Sequence, residues 1–227
     1  MSFNIDVYQM MEAEEALKLG AIVDSMEWKR GMARTEEATD AIKFNLEIKP
    51  QDSEEARGLS QQLGNQLAKV INKDHFPKKI FAFKFNKYTS DGNYKRHGDS
   101  AFMGGAVRTD LACTLSLSDP NTYKGGDLCI ESPDGRNYHK VRLGPGQAVV
   151  YDCYRPHWVT PVTEGSRISA ICWIESMFRD GEQREFLRRF GDVVRSMELY
   201  DGSKQAKDYT TLGTLQGKLF RMWGDYE

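Results

Sequence analysis

The sequence predicts an α+β fold, with a mainly β core and helices before and after it. Two periodicities and the punctuation between them predict this. From 79 to 177 apolar residues recur at every second position, as Phe81, Phe83 and Phe85 do, whereas on either side they return at three- and four-residue intervals. Turn signals cut the central stretch into short pieces: Asp119-Pro120-Asn121, Gly125-Gly126, Pro133-Asp134-Gly135, Gly144-Pro145-Gly146 and Glu164-Gly165-Ser166. Many short strands at this spacing indicate an antiparallel sandwich or barrel.

In chain order, 11–29 reads as a helix with Ala16, Leu17, Ala21 and Met26 facing inward. Thr39 to Ile48 ends in strand-like alternation, with Ile42, Phe44, Leu46 and Ile48 on the apolar side. A second helix starts at Asp52 or Ser53 as N-cap, carries acids in its first turn, and runs to about Asp74 through Leu59, Leu63, Leu67 and Val70. Ile80 to Tyr88 is a strand followed by a turn at 89–93. Further strands are expected at 110–118, 127–131, 138–143, 147–153, 158–163 and 167–175. After Met177 the pattern is helical again, with Phe186, Leu187, Phe190, Val193, Val194 and Met197 inward, and a last helix spans 211–223. No repeat or low-complexity linker interrupts the chain. The expected organisation is a single domain over 1–227, with a helical segment over 1–78, a β core over 79–177 and a second helical segment over 178–227.

The formal net charge of the 227 residues is −2. Such a chain has no global basic field for nucleic acid, which argues against a DNA or RNA partner. Apolar runs such as Ala148-Val149-Val150-Tyr151 are too short to span a bilayer, and no secretory signal is visible at Met1 to Asp6. The expected setting is cytoplasmic, without a membrane partner. Cys113, Cys129, Cys153 and Cys172 form no C-x-x-C pair and read as reduced, buried strand residues.

The most informative chemistry is at His97-Gly98-Asp99. An imidazole and a carboxylate two residues apart point to the same side of an extended stretch. His157, at the start of a strand after Arg155-Pro156, can close a third corner. Two imidazoles and one carboxylate on one face of an ion form the facial triad of non-heme Fe(II) oxygenases, which leaves positions open for a cosubstrate and dioxygen. Arg167 heads the next strand, across the Glu164-Gly165-Ser166 turn, and in a hairpin it would fall within reach of the same pocket. Its fixed cation suits an acidic cosubstrate such as 2-oxoglutarate. His75 and His139 lack partners at ligand spacing and read as ordinary surface or sheet positions. Asp110 and Asp127 read as turn or strand-edge acids, and Gly125-Gly126 as a tight turn.

The stretch from Tyr88 to Arg179 resembles the Fe(II)/2-oxoglutarate dioxygenase superfamily, in its prolyl-4-hydroxylase-like branch, the PKHD-type hydroxylases. The residues that carry the resemblance are Tyr88-x-x-x-Gly92-x-Tyr94-x-x-His97-x-Asp99, Arg108-Thr109-Asp110-Leu111, Leu117-Ser118-Asp119-Pro120, Gly125-Gly126-Asp127-Leu128, His157-x-Val159-Thr160-Pro161-Val162-x-x-Gly165-x-Arg167 and Trp173-Ile174-x-Ser176-Met177-x-Arg179-Asp180.

The resemblance implies a double-stranded β-helix (jelly-roll) core. It implies that His97, Asp99 and His157 are the catalytic iron ligands, that Arg167 pairs with the distal carboxylate of 2-oxoglutarate, and that the Tyr88 hydroxyl helps to hold it. Trp173 matches a pocket tryptophan. Fe(II), 2-oxoglutarate and O2, with ascorbate as an accessory reductant, are the implied cofactors. The implied reaction is hydroxylation of an aliphatic carbon, on a prolyl or other peptidyl residue, with release of succinate and CO2. A free amino acid or small metabolite is an alternative substrate. From a different class, a cupin-like metal-binding β-barrel without oxygenase activity would leave Arg167 unexplained. Retention of Asp99 separates the chain from halogenases, which replace this carboxylate with a small residue. Lys95-Arg96 beside His97 is more basic than the family pattern and would suit an acidic or phosphate-bearing substrate, unless both are plain solvated cations.

Overall fold

The structure, a computed structural model, describes residues 5–32, 42–103, 107–198 and 205–226. Two antiparallel sheets face each other, and helices cover the outer side of one. In the larger sheet the strand order is Ile5–Gln9, Gln147–Asp152, Leu111–Ser116, Arg167–Ser176, Lys84–Tyr88, Leu46–Ile48 and Lys29–Arg30. Pro77–Ile80 pairs with the far end of Arg167–Ser176. The smaller sheet runs Tyr138–Val141, Leu128–Glu131, His157–Val159, Asn93–His97 and Lys43–Phe44. Through the central segment the chain crosses repeatedly between the sheets, which is the jelly-roll arrangement.

The larger sheet is buried on both faces, and its alternation shows why. Phe83, Phe85, Leu111, Cys113, Leu115, Ile168, Ala170, Cys172 and Ile174 pack outward against Ala16 and Val23 of the helix Ala13–Asp24 and Leu63, Leu67 and Ile71 of the helix Glu54–His75. The intervening residues (Lys84, Asn86 and Tyr88 on one strand, Arg167, Ser169 and Trp173 on the next) line a cavity between the sheets. The period of two therefore places apolar side chains toward the helices and polar ones toward the cavity.

Several expectations are corrected. Ile42, Phe44, Leu46 and Ile48 do not form one inward face. Lys43–Phe44 belongs to the smaller sheet and Leu46–Ile48 to the larger, and the chain passes between the two at Asn45. Lys43, Asn45 and Glu47 are buried, while Phe44, on the other face of its strand from Lys43, is exposed. Ile48 packs with the helices instead. In the first helix Gly20 and Val23, not Leu17 and Ala21, complete the buried stripe, and the helix ends at Asp24. Ile5–Gln9 and Lys29–Arg30 are strands within the N-terminal stretch read as helical. The second helix is capped by Ser53, whose side chain accepts a hydrogen bond from the Ala56 amide.

After the core, Gly181–Glu198 and Gln205–Trp223 form a helical pair. Phe178 and Leu187 are buried there, whereas Phe186 and Val193 are exposed; the side chain of Met197 lies outside the described residues. His75 is neither a surface nor a sheet residue: it ends the second helix, buried, with its Nε2 3.0 Å from the Tyr8 hydroxyl. His139 lies on the exposed strand Tyr138–Val141. All four cysteines are buried and free.

Candidate functional site

The smaller sheet brings the two histidines together. His97 is the last residue of Asn93–His97, His157 the first of His157–Val159, and the two are direct cross-strand partners. Asp99 lies two residues beyond the strand end and turns back over both rings. Its Oδ1 is 3.8 Å from His97 Nε2 and its Oδ2 is 3.7 Å from His157 Nε2. One donor atom from each of the three residues lies within 4.8 Å of the others, and no other such cluster of His, Cys, Asp or Glu occurs among the described residues.

The two imidazoles are held alike. His97 Nδ1 is 2.8 Å from the Lys95 carbonyl, and His157 Nδ1 is 2.9 Å from the Arg155 carbonyl. A carbonyl can only accept, so each Nδ1 carries the ring proton and each Nε2 lone pair faces Asp99. Burial, and after it the neighbouring His157, push the pKa of His97 down to about 4, which keeps its ring neutral. Tyr94 stacks on His97 with ring centroids 3.6 Å apart, and Tyr151 meets His157 edge-on. The Trp173 indole N–H donates to Asp99 Oδ2 at 2.9 Å, which orients the carboxylate. Two neutral imidazoles and one oriented carboxylate, with room beside them in the cavity, fit an Fe(II) ion with open positions.

The larger sheet supplies the opposite wall. Arg167 is the first residue of its strand, pairs in register with Tyr88, and is only 7% exposed. Its guanidinium lies over the Tyr88 ring, 5.5 Å from the centroid, and donates to Ser169 Oγ at 3.2 Å. Among the described residues it has no carboxylate partner. A buried, permanently charged group with unused N–H donors is a receptor for an anion. Burial raises the Tyr88 pKa while Arg167 opposes that shift, so its hydroxyl stays protonated and able to donate.

Gly126 makes the approach possible. At φ +67° its backbone packs so close that a Cβ would stand 3.1 Å from Arg167 Cδ, and the Cβ of an alanine at Gly125 would stand 1.9 Å from the Pro161 carbonyl oxygen. The glycine pair is a tight turn, as expected, and it also shapes the bed of the arginine stem.

The route by which Arg167 reaches the cavity differs from the expected hairpin. Val162–Glu164 pairs with Lys124–Gly125, and the strand of Arg167 pairs with Lys84–Tyr88 and Leu111–Ser116. The arginine faces the histidines from the other sheet. Arg96 donates twice to Glu131, at 2.7 and 2.9 Å, so its charge is already matched; Lys95 is exposed. Asp110 and Asp127 bind Arg108 and Arg142, away from the cluster. Lys43, Glu47 and Lys84 escaped the sequence reading, although the alternation of Lys84, Asn86 and Tyr88 with Phe83 and Phe85 carried a signal for a polar inner face.

Residues 83–175, the segment that holds all these groups except Lys43 and Glu47, match the family model of the 2OG-Fe(II) oxygenase superfamily. A PKHD-type hydroxylase of Paraburkholderia xenovorans (strain LB400) is 31% identical over 95% of this chain and 96% of its own. One from Teredinibacter turnerae is 35% identical over 89% of this chain and 90% of its own. The chain belongs to the PKHD-type hydroxylases. In this hydroxylase, as in its superfamily, the reagents are Fe(II), 2-oxoglutarate and O2. The fold is also that of a prolyl-4-hydroxylase from Pseudomonas putida (TM-score 0.55, 21% identity, 77% of this chain and 94% of that one). A prolyl hydroxylase of Trichoplax adhaerens, solved with a peptide fragment of hypoxia inducible factor, has the same fold (TM-score 0.59, 13% identity, 82% and 87% covered).

Proposed function

We propose that this hydroxylase uses His97, Asp99 and His157 to hold Fe(II) and Arg167 with Tyr88 to hold 2-oxoglutarate, and that it hydroxylates an aliphatic carbon of a prolyl or other peptidyl residue. The observation that carries the reading is a metal-fitting triad facing a buried arginine that has no carboxylate partner among the described residues. When bound, iron with 2-oxoglutarate and O2 supplies an oxidant able to attack an unactivated C–H bond, while the cosubstrate leaves as succinate and CO2.

The chain's own role is placement. Lys95 and Arg155 carbonyls fix the imidazole tautomers, and the Trp173 indole holds Asp99. Arg167 and Tyr88 orient the far carboxylate of the cosubstrate, and the apolar walls Leu128, Val159 and Ile171 exclude water. No side chain has to move a proton. The residues from 1 to 227 act as one catalytic domain in this reading, and the four free, buried cysteines agree with a reducing, cytoplasmic setting. No helix among the described residues is long and apolar enough to cross a membrane.

The test is anaerobic addition of Fe(II) and 2-oxoglutarate to the purified chain, followed by turnover in air. A weak visible charge-transfer band, lost in His97→Ala, and succinate formation stimulated by a proline-containing peptide are expected. Absence of both band and succinate from metal-loaded protein sinks the reading. Stimulation by free amino acids alone replaces the peptidyl substrate with the small-molecule one.

A further inference from the structure

Two buried charges, Lys43 and Glu47, and a half-buried one, Lys84, are not used to hold the metal or the cosubstrate. Lys43 is 4% exposed and Glu47 2% exposed. Lys43 Nζ donates to Glu47 Oε1 at 2.5 Å and to the Met32 carbonyl at 3.1 Å, and Lys84 Nζ donates to the same Oε1 at 2.8 Å. Two ammonium groups thus share one carboxylate oxygen, and both lysines line the cavity. Among the described residues Lys84 makes no further hydrogen bond, so two of its three donors remain free. The Lys84 side chain, 17% exposed on the cavity wall, thus keeps donors within reach of a ligand in the cavity.

Each ammonium is one aromatic ring away from the metal corner. Lys84 Nζ lies 5.2 Å from the centroid of Trp173, whose indole N–H binds Asp99. Lys43 Nζ lies 5.1 Å from the centroid of Tyr94, which stacks on His97. Charge balance points the same way. A divalent ion and a dianionic cosubstrate cancel, leaving Lys43, Lys84 and Arg167 against Asp99 and Glu47. Burial and the neighbouring Lys84 push the pKa of Lys43 down to about 8, so at neutral pH it still carries its proton. One positive charge in a buried cavity is left for the remaining ligand.

We propose that Lys84, with Lys43 behind it, docks a carboxylate of the substrate, so that the molecule hydroxylated carries an acid group a few bonds from the carbon attacked. The inference rests on the oxygenase reading above and narrows its substrate class. A free amino acid, or a peptide with an acidic or C-terminal carboxylate next to the target residue, presents this same group.

The test loads the full chain with Mn(II), checks loading by electron paramagnetic resonance, saturates it with 2-oxoglutarate, and titrates carboxyl-labelled ¹³C-acetate while following its relaxation. Saturable enhancement is expected, weakened roughly tenfold or more in Lys84→Met and restored in Lys84→Arg. The affinity for 2-oxoglutarate should not change in either variant. If Lys84→Met fails to fold, the triple variant Lys43→Met/Glu47→Gln/Lys84→Met, which removes all three charges of the cluster, gives the same readout. No saturable enhancement in the parent, or equal enhancement in the variant, overturns the proposal. So does a loss confined to 2-oxoglutarate affinity, which would make the lysine a cosubstrate ligand.

A second arm follows succinate release with L-proline, other L-amino acids and their carboxamides, and with proline peptides bearing an acidic or an amide neighbour. Stimulation by acids and not by the matching amides is expected, and the free and peptide arms separate the two sources. Equal stimulation by amides overturns the proposal. Failure of the oxygenase reading is distinct: Mn(II) does not bind, or no succinate forms under any condition even though acetate docks.

Discussion

The two sheets enclose one cavity but are built differently. Every residue of Leu111–Ser116 in the larger sheet is buried, with helices over the outer face, while the smaller sheet exposes Phe44 and Tyr138 on its outer side. The thin sheet carries both histidines at strand ends; the thick one carries Arg167, Tyr88 and Lys84 in its wall. A metal centre must admit an ion, a gas and a substrate, and strand ends on a thin wall give that access. An anion clamp instead gains from a low dielectric on both sides, because a charge pair strengthens as water is removed. On the proposed function, the contrast gives metal binding to one wall and anion binding to the other.

That division can be broken at either wall. The largest effect is expected from Asp99→Ala, which should abolish metal binding and turnover together, read by Mn(II) resonance and succinate release. Arg167→Ala should leave metal affinity nearly unchanged while raising the KM for 2-oxoglutarate by about two orders of magnitude, as for loss of a buried charged pair. If metal binding falls with it, the walls are not separable. Trp173→Phe keeps an aromatic ring on the thick wall but removes the hydrogen bond to Asp99, and should cost about 10–100-fold in metal affinity or activity.

The smallest expected effect is on stability. The Lys43 pKa is lowered from 10.5 to about 8, first by burial and then by Lys84, so the folded state binds fewer protons than the unfolded one between these values. Stability therefore rises as pH climbs from about 8 to 10.5. The Tm of the parent should gain on that of Lys43→Met across this window in thermal denaturation scans, and parallel curves would contradict the buried ammonium.

The residues legible in the sequence were those whose chemistry is out of keeping with their surroundings. His97, Asp99, His157 and Arg167 stand at strand ends beside turns, where a polar side chain has few structural reasons to recur in this order. Lys43, Glu47 and Lys84 were hidden by the usual assumption that the apolar face of a strand looks into the barrel. Here Phe83, Phe85 and Ile48 look outward to the helices, and Lys43 and Lys84 line the inside, with Glu47 accepting from both. The hairpin expected to bring Arg167 to the pocket failed for a related reason. Val162–Glu164 and Arg167–Ser176 follow one another in the chain but pair in different sheets, so closeness in sequence does not predict pairing here. Ile5–Gln9 was too short and too near the chain start for its alternation to stand out, yet it pairs along the whole of its length with Gln147–Asp152.

The direct pairing of His97 with His157 has a consequence for how the chain folds. The two residues are far apart in sequence, and their strands meet only after the intervening core is laid down, so the pairing is slow to form and exposed to misalignment. A slip of one residue would turn one imidazole to the outer face of the sheet. Only the native alignment presents both Nε2 atoms to one point. A metal ion that binds there lowers the free energy of that alignment alone, and so proofreads the assembly of the sheet that carries it.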